Sequence, residues 1–278
     1  MKKLKDLIMI SIVCLLVVVL IAGCGQQQSS NQSENKPTQQ QNEGTQQESS
    51  EETLTDGIYN AQAKDFDDHG WKAMVTVSVK NGKIEKVFFD EINQDGMLKS
   101  FDPEYSGNMK AKSGTTPLDA QVSLADALIK AQNVEDVDAV TGATHTSDSF
   151  KSLVKEALAG QPVEAKGLYK DGLYKAMDKD FDDHGWKSIA AALVKDGKIV
   201  SVFFDQINKD DGHYKSTDTE YAKNMEAKTN ITPNKASEHL INSLVEKQDV
   251  SAVEAATGAT HSSESFKTLL GDALSYAK

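Results

Sequence analysis

A long internal repeat constrains the fold more than any other feature of the chain. The segment DGIYNAQAKDFDDHGWK at 56–72 returns as DGLYKAMDKDFDDHGWK at 171–187. Because this spacing is far above the period of solenoid units, it indicates tandem domains rather than an array. The stretch AGQPVEAKG, rich in glycine, proline and polar residues, separates the copies. We therefore predict two copies of one domain, at 53–160 and 168–278.

Each copy has the sequence pattern of a β-hairpin. Val75, Val77 and Val79 alternate with polar residues, which indicates a strand. The Asn-Gly turn of VKNGKIEKVFFD then leads into a return strand, and the second copy has VKDGKIVSVFFD with an Asp-Gly turn. Polar, glycine-rich loops are predicted next, at 91–116 and 206–232.

Two helices are predicted to follow the loop in each copy. PLDAQVSLADALIKAQ and PNKASEHLINSLVEKQ begin with proline, which is favoured at the first helical position. The final helix of each copy carries an apolar stripe at helical spacing. Its residues are Phe150, Leu153, Val154, Ala157 and Leu158, and Phe266, Leu269, Leu270, Ala273 and Leu274. We predict the α+β class, as two tandem copies of a small antiparallel sheet with helices.

The N-terminus has the pattern of a secretory signal. Lysines precede the apolar run LIMISIVCLLVVVLIAG, which ends directly before Cys24. Small residues before a cysteine resemble the lipobox of bacterial lipoproteins. The resemblance implies a signal peptide at 1–23, lipidation of Cys24, and anchoring at the extracellular face of the cell membrane; a plain signal peptide is the alternative.

Composition explains the segment between the anchor and the repeats. Residues 24–52 contain no aromatic and no large aliphatic residue, so they are predicted to form a disordered tether. Its r.m.s. reach is roughly 30 Å. The formal net charge is −12 and the chain contains no arginine, which argues against nucleic-acid binding.

The octets before the final helices are the candidate functional segments. DAVTGATHTSDSF (138–150) returns as EAATGATHSSESF (254–266). Glycine allows an unusual backbone conformation and alanine leaves space beside the chain. From the residues alone, a capped loop–helix junction without ligand and a phosphate site at the helix start both remain open. Adjacent threonine and histidine side chains are badly placed for proton relay. The sequence near the octets also shows no consistent carboxylate to orient the histidine. Both observations disfavour a self-contained hydrolase.

The octet also resembles the flavinylation motif D-x-x-[ST]-G-A-[ST] of the FMN-binding domain family. In that family a flavin transferase moves FMN from FAD onto the last hydroxyl residue of the motif and leaves a phosphodiester. The resemblance covers both repeats and implies two covalent FMN groups, attached to Thr144 and Thr260. The surrounding motif residues are Asp138, Thr141, Gly142 and Ala143, and Glu254, Thr257, Gly258 and Ala259.

One position departs from the motif. The leading aspartate is Asp138 in the first copy, whereas Glu254 stands in the second. If this carboxylate helps the transferase engage the motif, the second site is modified more slowly. We expect both sites to be occupied.

The identical segment FDDHGWK allows three interpretations. Asp67, Asp68 and His69 could bind a metal, but three adjacent residues rarely converge on one ion, so no metal site is predicted. A turn before the strand is the favoured interpretation. The third is a loop that faces the flavin, with Trp71 and Trp186 or His69 and His184 near the ring. Met109 and Met225 are expected to be packing residues rather than ligand contacts, and the same two alternatives apply to Tyr105 and Tyr221 in the same predicted loops.

The resemblance extends to the two-flavin lipoproteins of Gram-positive extracellular electron transfer. It implies an electron carrier rather than a classical enzyme, receiving electrons from a membrane quinol or NADH dehydrogenase system. Ferric iron or soluble compounds would be the extracellular acceptors. The alternatives are a solute-binding or adhesive lipoprotein without flavin, and a signal peptide that acts as a pheromone precursor.

Overall fold

Two β-hairpins, each extended by one strand, form the centre of the two repeats. The computed structural model describes residues 53–278. Each repeat has a three-stranded antiparallel sheet in sequential order. The strands are β1 (Gly57–Gln62), β2 (Lys72–Lys80) and β3 (Lys83–Ile92), then β4 (Gly172–Met177), β5 (Trp186–Lys195) and β6 (Lys198–Asn208).

The predicted hairpin turns are confirmed. Asn81 and Gly82 have φ of 53° and 70°, and Asp196 and Gly197 have 52° and 74°. Positive φ at both central residues is the geometry of a type I′ turn, whose twist matches that of the flanking strands. The turns therefore fix the register of β2 with β3 and of β5 with β6.

Three helices follow the sheet in each repeat. They are α1 (Pro103–Ser113), α2 (Pro117–Ala131) and α3 (Thr144–Ala159), then α4 (Thr219–Thr229), α5 (Pro233–Lys247) and α6 (Thr260–Ser275). The prediction of loops at 91–116 and 206–232 is wrong, because these segments contain α1 and α4. Both helices lack an apolar stripe, and α1 buries only Ser106. They therefore carry no periodic signal, and their starts are fixed by Asp102 and Asp218, which cap them.

One face of each sheet packs on the two longer helices. In the first repeat α3 lies against β1 and β2, and α2 lies against β3; α6 and α5 take the same places in the second. The predicted stripe on α3 enters the first core with β2, and the stripe on α6 enters the second core. The α+β class, with two tandem sheet-and-helix units, is confirmed.

The opposite faces of the two sheets contribute to a third core that both repeats share. Its buried members are Met74, Leu98, Phe101 and Leu118 from the first repeat, and Leu173, Ile189, Ala191 and Tyr214 from the second. Thr76, on this face of β2, accepts a hydrogen bond from the Leu173 N–H at 2.9 Å. Both faces of the central strands are therefore buried, and the described residues 53–278 lie in one compact unit.

Three predicted features fall outside the described residues. The signal peptide at 1–23, the lipidated Cys24 and the tether at 24–52 all precede residue 53. Across residues 53–278, the structure contains no helix with the length and apolar character needed to cross a membrane.

Candidate functional site

The octet forms a tight turn that ends in the first residue of a helix. Thr144 begins α3, and the residue before it, Ala143, provides no side-chain cap. Thr260 begins α6 in the same way, after Ala259. Both threonines are exposed, and within residues 53–278 neither hydroxyl makes a hydrogen bond. Of the interpretations left open, capping of the helix therefore does not apply to these two threonines.

A serine inside each helix holds the turn instead. Ser147 Oγ accepts a hydrogen bond from the Val140 N–H at 3.0 Å and donates to the Ala143 carbonyl at 2.9 Å. Ser263 makes the same two bonds to the Ala256 N–H and the Ala259 carbonyl, at 3.0 and 2.8 Å. Because a buried serine holds the backbone of the turn, the hydroxyl of the threonine at the helix start has no structural role there. The sequence pattern alone does not predict this role of the serines.

Glycine is required at the centre of the turn for two reasons. Gly142 has a φ of 80°, and a Cβ there would lie 2.7 Å from the Ser113 carbonyl oxygen. Gly258 has a φ of 84°, and its Cβ would lie 2.8 Å from Thr229 Cβ. The octet therefore packs directly against the C-terminal end of α1 or α4, the helices that the sequence did not reveal.

This contact creates a cleft beside each threonine. The first cleft has a volume of about 380 Å³ and the second about 280 Å³. Equivalent residues line both. In the first they include Lys99, Tyr105, Asn108, Met109, Lys112 and Thr144, and in the second Lys215, Tyr221, Asn224, Met225, Lys228 and Thr260. Both methionines therefore lie at the cleft, although packing alone was expected, and Met225 also packs against the second core.

A buried lysine lies close to two aromatic rings at each cleft. Lys99 Nζ is 4.8 Å from the centroid of Tyr105 and 5.4 Å from that of Trp71. Lys215 Nζ is 4.7 Å from the centroid of Tyr221 and 4.6 Å from that of Trp186. Each tryptophan also packs edge-on against its tyrosine, with ring centroids 5.5 Å apart.

The partners of these lysines differ between the repeats. Lys99 Nζ forms an ion pair with Glu91 Oε2 at 2.7 Å, and both side chains are buried. At the equivalent position Gln206 Oε1 accepts a hydrogen bond from Lys215 Nζ at 2.6 Å. Burial lowers the pKa of Lys215 to about 8, although Asp182 and Asp205 act in the opposite direction.

The segment FDDHGWK forms a turn, as favoured. Asp67 Oδ1 accepts hydrogen bonds from the backbone N–H groups of His69 and Trp71. Burial disfavours the ionised carboxylate, but these two bonds, with Lys99 and His145, outweigh it and lower the pKa of Asp67. Asp182 makes the same bonds to His184 and Trp186. His69 also lines the first cleft.

The turn brings a carboxylate to the histidine of the octet, which sequence spacing did not reveal. His145 Nε2 lies 3.9 Å from Asp67 Oδ2, and His261 Nε2 lies 3.3 Å from Asp182 Oδ2. Asp67, Glu91 and His145 thus place three oxygen or nitrogen atoms within 4.8 Å of one another. Because Glu91 is already paired with Lys99, this cluster carries no metal assignment.

The leading carboxylates of the two octets are both exposed on the surface. Glu254 Oε1 lies 3.6 Å from Lys247 Nζ, and 84% of its side chain is exposed. Asp138 and Glu254 therefore do not form part of the cleft lining in residues 53–278. Both carboxylates are accessible from solvent.

Comparison with known sequences decides the family. The sequence model of the FMN-binding domain matches residues 70–159. The 15 kDa lipoprotein of Treponema pallidum (strain Nichols) is 42% identical over 106 residues, which cover 38% of this chain and 75% of that protein. This chain belongs to the FMN-binding domain family. Membership supports FMN as its cofactor and confirms the family that the octet indicated.

Solved structures also resemble the chain. A crystal structure of a Clostridium perfringens protein is 36% identical and covers 38% of this chain and 87% of that chain, with a TM-score of 0.37. A solution structure of a Clostridium thermocellum protein is 28% identical. The match covers 39% of this chain and 95% of that protein, with a TM-score of 0.28.

The groups that line the two clefts suit the parts of an FMN molecule. The volume of the first cleft lies within the usual range for small-molecule sites, about 300–1,000 Å³, and that of the second lies just below it. Lysines and the unpaired N–H groups of a helix start suit a phosphate, and tyrosine and methionine suit an aromatic ring. The residues that would hold FMN are those that line each cleft, with Thr144 or Thr260 at its edge.

Proposed function

We propose that this chain is a surface-anchored electron carrier with two FMN groups, covalently attached to Thr144 and Thr260. The observation that carries the proposal is the free threonine hydroxyl at the edge of a cationic and aromatic cleft, formed twice with the same geometry. A serine performs the structural role in each turn. The hydroxyl of each threonine is thus not needed for the fold.

Attachment would require a flavin transferase. The threonine oxygen forms a bond to the phosphorus of the FMN moiety, the pyrophosphate bond of FAD breaks, and AMP leaves while the hydroxyl loses its proton. The exposure of both threonines allows a second protein to reach them. Asp138 and Glu254, which are exposed near the same turns, are the groups we assign to transferase recognition.

A bound flavin would supply the redox chemistry, while the protein supplies position and electrostatics. The electrons would come from a membrane quinol or NADH dehydrogenase system and pass to extracellular acceptors such as ferric iron or soluble compounds. The lipoprotein among the relatives supports a lipid anchor; we assign that anchor to Cys24 and, from the secretory pattern before it, the extracellular face of the membrane. Covalent attachment suits that location, because a dissociating flavin would be lost by dilution.

Mass spectrometry of the protein co-expressed with a flavin transferase tests the proposal. We expect the denatured chain to carry two FMN mass increments, one of which is lost in Thr144→Val and the other in Thr260→Val. Thr268→Val replaces another exposed threonine of α6 and serves as the matched control, which should retain both. Denatured wild-type protein without any FMN increment would contradict covalent attachment and favour a solute-binding or adhesive lipoprotein.

A further inference from the structure

The two clefts differ at one charged position, and this difference bears on the direction of electron flow. Glu91 and Gln206 hold the same place in the two repeats, directly behind the lysine that lines each cleft. We propose that an FMN in the second cleft has the more positive reduction potential, because Lys215 lacks the carboxylate partner that Glu91 provides to Lys99. This inference rests on the proposed function.

The position is well placed to act on both the cation and the attachment helix. Glu91 Oε2 contacts Lys99 and accepts a long hydrogen bond, 3.5 Å, from Thr146 in the first turn of α3. Gln206 Oε1 contacts Lys215 and accepts one of 3.4 Å from Ser262 in the first turn of α6. The two side chains therefore occupy the same site, and the substitution exchanges a charge with little change in shape.

Reduction adds negative charge to a flavin whenever fewer protons than electrons accompany it. A nearby cation then stabilises the reduced form, and a carboxylate in contact with that cation cancels much of the effect. In the first cleft, the buried Lys99 and Glu91 form such a neutral pair. In the second, Lys215 contacts a neutral amide, so its charge acts on the cleft without direct compensation.

The other carboxylates near Lys215 do not restore the pair. Asp182 has its counterpart in Asp67 of the first repeat, so the two contributions cancel in the comparison. Asp205 is also near, but in residues 53–278 no carboxylate oxygen lies within the 4.0 Å salt-bridge distance of Lys215 Nζ. Burial raises the pKa of Asp205, against the hydrogen bonds from Ser216 and Gln206. Burial lowers the pKa of Lys215, and Asp182 and Asp205 offset this effect only in part.

Exchange of the two residues gives a direct test in proteins that carry one flavin each. Thr260→Val retains only the first FMN and Thr144→Val only the second, and their midpoint potentials are measured by spectroelectrochemical titration. We expect reduction of the second FMN to be favoured over reduction of the first by at least tenfold. For a two-electron couple this corresponds to a potential more positive by about 30 mV. Glu91→Gln should raise the first potential, and Gln206→Glu should lower the second. Equal potentials, the reverse order, or potentials unmoved by both exchanges would overturn the inference.

A second variant and a measurement on flavin-free protein keep the inference testable if one variant misfolds. If Gln206→Glu fails to fold, Lys215→Met removes the cation, keeps an apolar side chain, and should lower the second potential in the same way. In flavin-free protein, lysine NMR should show Lys215 titrating at higher pH in Gln206→Glu than in wild type. An unchanged titration would also contradict the inference, whereas wild-type protein without FMN would contradict the proposed function alone.

Discussion

At the scale of single residues, Gly142 decides whether the attachment turn can form. Its positive φ and its close approach to Ser113 both exclude a side chain. We predict that Gly142→Ala destabilises the protein by at least about 2 kcal/mol, since the strain of a left-handed alanine adds to a steric clash. Chemical denaturation and FMN content measure the effect, and both should decrease.

Gly96 provides the matched control for this prediction. Its φ of 84° is close to that of Gly142, but a Cβ there would meet no atom within 4 Å. Gly96→Ala should therefore cost only the backbone strain, about 1–2 kcal/mol, and should leave FMN attachment intact. Equal losses of stability in the two variants would show that contact with α1 does not shape the turn.

At the scale of elements, a lysine from β4 connects the two sheets. Lys175 Nζ lies 2.5 Å from Asp90 Oδ2 and 2.8 Å from Gln121 Oε1, and it also bonds to Ser100 and to the Phe89 carbonyl. The Asp90 side chain is fully buried. The second repeat has no equivalent ion pair at Asp205 within residues 53–278.

We predict that Lys175→Met lowers the free energy of unfolding by about 3 kcal/mol at neutral pH, because it leaves a buried carboxylate without its cation. Adding Asp90→Asn should restore most of the loss, since the uncompensated charge is then removed. Lys235→Met breaks an exposed pair with Glu226 and should have little effect. A double variant as unstable as Lys175→Met would show that the loss arises from packing rather than charge.

At the scale of the whole molecule, the shared third core makes the two repeats mutually dependent. Tyr214 donates a hydrogen bond to the Ser100 carbonyl across the repeats at 2.7 Å. Phe88 of β3 packs edge-on against Tyr174 and Tyr276 of the second repeat. Separation of the repeats would expose this apolar surface to water, which is unfavourable.

We therefore predict that residues 53–278 unfold in one cooperative transition. Each repeat contains one buried tryptophan, Trp71 or Trp186, so Trp186→Phe leaves a fluorescence signal from the first repeat and Trp71→Phe from the second. For each variant, thermal unfolding is followed by fluorescence and by calorimetry. We expect the two methods to give the same midpoint temperature in both variants. Fluorescence that reports an earlier or later step than calorimetry would indicate that the repeats unfold separately.

Local signals in the sequence determined the hairpins, the two longer helices and the site of the octet. Asn-Gly and Asp-Gly demand a type I′ turn, and an apolar stripe demands a buried helix face, because both follow from backbone and side-chain geometry within a few residues. The family motif predicts Thr144 and Thr260 as the attachment residues, and that assignment stays a prediction. The duplication was sufficient to predict two sheet-and-helix units.

The tertiary structure alone decided what surrounds those threonines. Helices α1 and α4 carry no periodic signal, so the cleft that they form with the octet could not be predicted. Asp67 meets His145, and Glu91 meets Lys99, only because separate elements converge on one end of the sheet. The sequence shows that Gln206 in the second repeat stands where the first repeat has Glu91. This difference has an electrostatic consequence only because both residues are buried beside a lysine.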